Sequence, residues 1–144
     1  MNQIFQRFFS IAFYILPLKA SLPFGNYLFY KFSFLKVLLF PFAIIERYLP
    51  SFWGGGLLLL LILFTGIVRN PNVPYFVRYN ACQALLLDIS LIIITYFFRI
   101  LPFVELGSIV FVFTLFIVIY SIFKCIYGLE PEIPFISKSV RMQI

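Results

Sequence analysis

Three stretches of this chain are long enough and poor enough in charge to cross a membrane, and they limit the fold more than any other feature. Leu49–Val68 (LPSFWGGGLLLLLILFTGIV) and Leu106–Phe123 (LGSIVFVFTLFIVIYSIF) carry no charged residue. Tyr79–Phe98 (YNACQALLLDISLIIITYFF) carries one, Asp88. A bilayer's hydrocarbon core takes about 20 apolar residues in a helix that rises about 1.5 Å per residue. The whole chain is 63% hydrophobic and 11% charged, far below the roughly one-quarter charged content of soluble domains. It therefore reads as an all-α integral membrane protein whose main partner is the lipid bilayer.

A fourth span is expected at 32–47, where FSFLKVLLFPFAII contains Lys36, able to snorkel, and Pro41, which would kink the helix. The spans are then about 32–47, 49–68, 79–98 and 106–123, within a membrane domain 22–128. Residues 1–21 hold an apolar run of eleven between Arg7 and Lys19. That is too short to cross, so an N-terminal interfacial helix is expected. Residues 129–144 form a polar, proline-broken tail. With four spans, one side collects nine cations: Arg7, Lys19, Lys31, Lys36, Arg69, Arg78, Lys124, Lys138 and Arg141. The other side holds Arg47 and Arg99 alone. Cationic loops resist translocation, so both termini should face the compartment of insertion.

The inventory of reactive groups speaks against catalysis. The chain has no histidine, no apolar segment with paired carboxylates, and a Trp53-Gly54-Gly55-Gly56 run without phosphate-loop spacing. Cys82 and Cys125 lie in apolar surroundings without the spacing of a metal site or a disulfide framework. No cofactor or metal is expected. The cations are scattered between apolar segments rather than gathered on one face, so no nucleic acid is expected either.

Asp88 is the most informative residue. At 100° per residue, Asn80, Ala84, Asp88, Leu91 and Thr95 share one helix stripe, with Gln83 at its margin. The opposite stripe, Leu86, Ile89, Ile93 and Phe97, suits lipid. A carboxylate near the bilayer centre costs about 2.5–3.5 kcal/mol on insertion scales, so the first stripe must face a helix bundle or a wet cavity. Two roles fit: the wall of a conduit, or hydrogen bonding that ties the helix to its neighbours. A second small stripe, Gly107, Thr114, Ser121 and Cys125, marks the last span. The two stripes should face each other or a common partner. Arg69 and Arg78 bracket the loop RNPNVPYFVR, placed to anchor at the membrane surface or to touch a partner.

The run VRNPNVPYFVRYNACQALLLDI and the tail YGLEPEIPFISKSVRMQ, together with LPFGNYLFYKFSFLK, resemble the twenty-kilodalton subunit of the Tic translocon of the chloroplast inner envelope. The resemblance runs from about Leu22 to Met142. The family's recurring features fall on Arg69, Val73, Pro74, Phe76, Arg78, Asn80, Gln83 and Ala84, and on Leu86, Leu87, Asp88 and Ile89. The resemblance implies four helices, both termini in the stroma, and a non-enzymatic role in preprotein import. It implies other translocon membrane subunits and transiting unfolded preproteins as partners, and an oligomer where four helices enclose too little space. Lys31 and Lys36 make the first span more charged than the family pattern. The absence of a transit segment fits a plastid-encoded or cyanobacterial copy. A small-solute or ion channel with Asp88 as its cation site, or an assembly scaffold without a conduit, are the competing readings.

Overall fold

A computed structural model describes residues 2–48, 61–100, 104–133 and 136–143. Among them every regular element is helical. The chain begins with α1 (Gln3–Phe13) and α2 (Ile15–Ser21), joined at Tyr14, and a 3-10 turn at Leu22–Gly25. Then come α3 (Asn26–Lys31), a 3-10 segment Ser33–Leu38 and α4 (Leu39–Tyr48). Residues 61–63 are helical and run into a π-helical segment, Phe64–Val68. The two long helices follow, α5 (Tyr75–Ile100) and α6 (Val104–Ile126), and the tail ends in α7 (Ile136–Gln143).

Among the described residues two helices are long and apolar enough to cross a membrane, Tyr75–Phe98 and Leu106–Ile126. They match the expected third and fourth spans with a few residues added. The expected first span is in pieces: Phe32 leaves helical geometry at φ −119°, ψ 89°, and Pro41 falls in the first turn of α4. There a missing N–H costs little, so proline starts a short helix instead of kinking a long one. Of the expected second span, residues 49–60 lie outside the described residues.

Local chemistry sets the boundaries of the long helices. In the loop before α5, the Asn70 side chain accepts from Asn72 N–H at 3.0 Å and its carbonyl from Val73 N–H at 3.2 Å. This Asx-type turn lets the chain reverse between Pro71 and Pro74. Arg78 Nε donates to the carbonyl of Val68 at 2.9 Å, satisfying the end of the π-helical segment. At the close of α6, Gly128 takes φ +74°. Gly128 N–H donates to Cys125 O at 3.0 Å and Leu129 N–H to Lys124 O at 2.9 Å, a Schellman motif that needs glycine at the left-handed position. Arg7 Nη1 covers a further carbonyl there, Ile126 O, at 3.0 Å.

The N-terminal helices pack against both α5 and α6, and each long helix meets them more than it meets the other. Ser10, Tyr14, Pro17 and Ser21 are buried and recur at spacings of four, three and four, one stripe of a helix. Ile4, Phe5, Phe8 and Phe9 point outward. The outer surfaces of the long helices are likewise apolar: Ile89, Ile93 and Phe97 on α5 are exposed, as are Ile109, Val112, Phe113 and Phe116 on α6. Leu86, expected on the lipid stripe, is half-buried.

Candidate functional site

The polar stripe of α5 starts in the second turn of that helix and is met there by three other elements. Tyr14, between α1 and α2, donates its hydroxyl to Asn80 Oδ1 at 2.9 Å. Gln83 Nε2 donates back to the Tyr14 oxygen at 3.2 Å. From α6, Cys125 Sγ donates to the same Asn80 oxygen at 3.2 Å. From α7, Ser137 Oγ donates to Gln83 Oε1 at 3.0 Å and accepts the Ile133 N–H at 2.7 Å. Asn80 Nδ2 finds Phe76 O in its own helix at 2.8 Å, and Tyr79 hydroxyl donates to Pro131 O at 2.9 Å.

Asn80, Gln83 and Tyr14 are fully buried. Buried amides and hydroxyls without partners cost about 1–3 kcal/mol each, so the arrangement matters more through what its loss would expose than through the strength of one bond. Around it Ala84, Leu87, Val118 and Ile133 exclude water. On its outer side Arg141 reaches Glu132 at 3.2 Å and Glu130 at 3.7 Å and lies over the Tyr79 ring at 5.8 Å. The hydrogen bond that it donates to Glu132 holds that guanidinium still more firmly protonated.

The stripe divides at this point. Asp88, two turns beyond Asn80, is only 7% exposed and makes no hydrogen bond or ion pair among the described residues. Thr95 is half-buried and donates its hydroxyl to Leu91 O at 2.8 Å, within its own helix. Four residues grouped by sequence periodicity thus fall into two environments: Asn80 and Gln83 engaged across elements, Asp88 and Thr95 not. Arg78 is committed to Val68 O, whereas Arg69 is exposed and stacks over Phe64 at 5.4 Å. No group of three or more potential metal ligands occurs among the described residues.

The sequence model of the family described as "Chloroplast import apparatus Tic20-like" matches residues 2–140. The chain belongs to this family. It is similar to "Protein TIC 20-v, chloroplastic" of Arabidopsis thaliana, 29% identical over 147 aligned residues that cover 96% of this chain and 70% of that protein. "Protein TIC 20-II, chloroplastic" of the same plant is 31% identical, over 96% of this chain and 72% of its own length. A "Tic20 family protein" of Synechocystis sp. is 34% identical over 59% of this chain and 53% of that protein. The Tic20-like match contains every member of the polar network, from Tyr14 through Asn80, Gln83 and Cys125 to Ser137.

Tyr14 and Ser137 were not among the residues that sequence reasoning singled out. A signal for Tyr14 was available in the Ser10–Tyr14–Pro17–Ser21 periodicity. It was masked by Lys19, which cuts the apolar run short. For Ser137 the tail's composition offered no such cue, because an eight-residue helix in a polar segment has too little pattern to read.

Proposed function

We propose that this Tic20-like chain is a membrane subunit of a preprotein import translocon, seated in the plastid inner envelope. The family match across residues 2–140 carries this reading. The geometry adds a bundle with apolar outer faces and an internal polar stripe on α5. Other membrane subunits would pack against those outer faces, and both termini would lie on the stromal side. The ends of the chain support a shared side, since Arg7 meets the carboxyl end of α6 and the tail packs at the start of α5.

In this reading the stripe has two duties. Asn80 and Gln83 clamp α1, α6 and α7 to α5. The continuation through Asp88 to Thr95, whose polar side chains make no cross-element hydrogen bond among the described residues, is the portion that a transiting unfolded chain would meet. A photo-crosslinker at Thr95, with exposed Ile93 as control, tests this during import of an arrested precursor. Adducts to the precursor from Thr95 and none from Ile93 are expected. Adducts to membrane subunits alone would move the protein to the second reading, an assembly scaffold. The observation that favours the scaffold is the complete intramolecular engagement of Asn80 and Gln83.

A further inference from the structure

The N-terminal third of the chain meets the two long helices at both of their ends. Arg7 lies at the carboxyl end of α6, on Ile126 O at 3.0 Å. Tyr14 lies one turn into the bundle, on Asn80. Phe24 lies at the opposite end: its ring stands 5.4 Å from that of Phe98, and a Cβ added to Gly107 would sit 3.2 Å from its carbonyl oxygen. From Arg7 to Phe24 a helix rises ~25 Å, close to the ~28 Å from Gly107 to Ile126 and to the ~30 Å of a hydrocarbon core. Residues 3–25 therefore run the length of the α5–α6 pair and lie between those helices.

The geometry points to an exchange of the roles expected from sequence: residues 3–25 cross the bilayer, and residues 26–44 lie on the lipid surface at the far side. Between Phe8 and Gly25 the only charge is Lys19. It sits within ~8 Å of the far end at the helical rise, close enough for its stem to carry the ammonium to the headgroups. The break at Tyr14 is tolerable inside a membrane because its backbone stays paired, Tyr14 N–H donating to Ile11 O at 3.1 Å and Leu18 N–H to Tyr14 O at 3.4 Å.

Residues 26–44 have the opposite character. They are broken into α3, a 3-10 segment and the start of α4, and the 3-10 segment packs on α3 and on α4 rather than on the long helices. Irregular backbone of this kind is excluded from lipid-exposed positions in the hydrocarbon region. Tyr30, Phe32, Phe34, Val37 and Phe40 are exposed, interleaved with exposed Lys31 and Lys36. Aromatic rings beside ammonium groups are the composition of a headgroup-level surface, and anionic headgroups complement the two lysines. Phe29 ties α3 to α6 about one turn inside the far end by packing on Phe111 at 5.3 Å. This inference requires only that α5 and α6 cross a membrane and is independent of the import role.

The test is the sidedness of single cysteines in full-length protein inserted into sealed bacterial inner-membrane vesicles. A membrane-impermeant maleimide is applied before and after permeabilisation. Cys82 and Cys125 are buried, so the unsubstituted chain serves as the unlabelled control. Gln3→Cys and Lys138→Cys should label from one side, and Ser33→Cys and Tyr30→Cys from the other. If Ser33→Cys and Tyr30→Cys label from the same side as Gln3→Cys, residues 3–25 do not cross and the inference fails. Depth is read separately with Phe34→Trp in a Trp53→Phe background and spin-labelled lipids. Quenching should be stronger, by about twofold or more, from a headgroup label than from a mid-chain label. Stronger quenching by the mid-chain label would return 32–47 to the bilayer interior.

Discussion

The two ends of the α5–α6 pair are joined to the N-terminal segment by different chemistry. Where α5 begins and α6 finishes, the joint is polar: Tyr14, Asn80, Gln83, Cys125 and Ser137 exchange directed hydrogen bonds across four elements. At the other end the joint is a matter of shape. Gly25 and Gly107 allow close approach, and Phe24, Phe29, Phe98 and Phe111 fill the space in edge-to-face pairs. In lipid there is no hydrophobic force between helices, so bundles are held by close packing at small residues and by interhelical hydrogen bonds. This chain uses one device at each end. The polar end specifies which helices meet, because an unmatched donor or acceptor is costly. The aromatic end tolerates change in polarity poorly and change in volume worse.

That contrast can be broken most severely at the aromatic end. Gly107→Leu should destabilise by about 3 kcal/mol, because even its Cβ would press on the Phe24 backbone 3.2 Å away. The check is the unfolding midpoint in detergent, which should fall by several degrees. Asn80→Leu should cost about 2 kcal/mol, since it deprives the Tyr14 hydroxyl and the Cys125 thiol of their acceptor in a dry site. Tyr14→Phe should cost about 1 kcal/mol. The double variant with Asn80→Leu should cost less than the sum, and a cycle of the four proteins measures the coupling. Gly128→Ala should cost about 1 kcal/mol through its positive φ, with added crowding from Arg7. Thr95→Val should change stability by less than about 0.5 kcal/mol, because that hydroxyl serves only Leu91 in its own helix. If Gly107→Leu proved milder than Tyr14→Phe, the contrast between a shape-held and a bond-held end would be wrong.

The same division separates the members of the α5 stripe. Asn80 and Gln83 belong to the bond-held end, whereas Asp88 and Thr95 lie beyond it. Effects on stability and on import are therefore expected to part company along one helix face. Asn80→Leu should lower the folded yield. Thr95→Val should leave the yield unchanged, and any effect it has on import rate then reports contact with the precursor.

Amino-acid sequence alone determined the helical class, the two long apolar helices and the stripe on which Asn80, Gln83, Asp88 and Thr95 fall. Each of these is local, since span length and the 3.6-residue period are properties of consecutive residues. Family membership was legible for a related reason, as its motifs are contiguous runs. Tertiary structure decided what fills the stripe and which N-terminal region accompanies the long helices. The bonds concerned join residues 45 to 69 positions apart, beyond any periodicity. The eleven-residue run ending at Lys19 looked too short to follow a span. Only the meeting of Arg7 with Ile126 and of Phe24 with Gly107 shows that it continues past the lysine to the far end of the bundle.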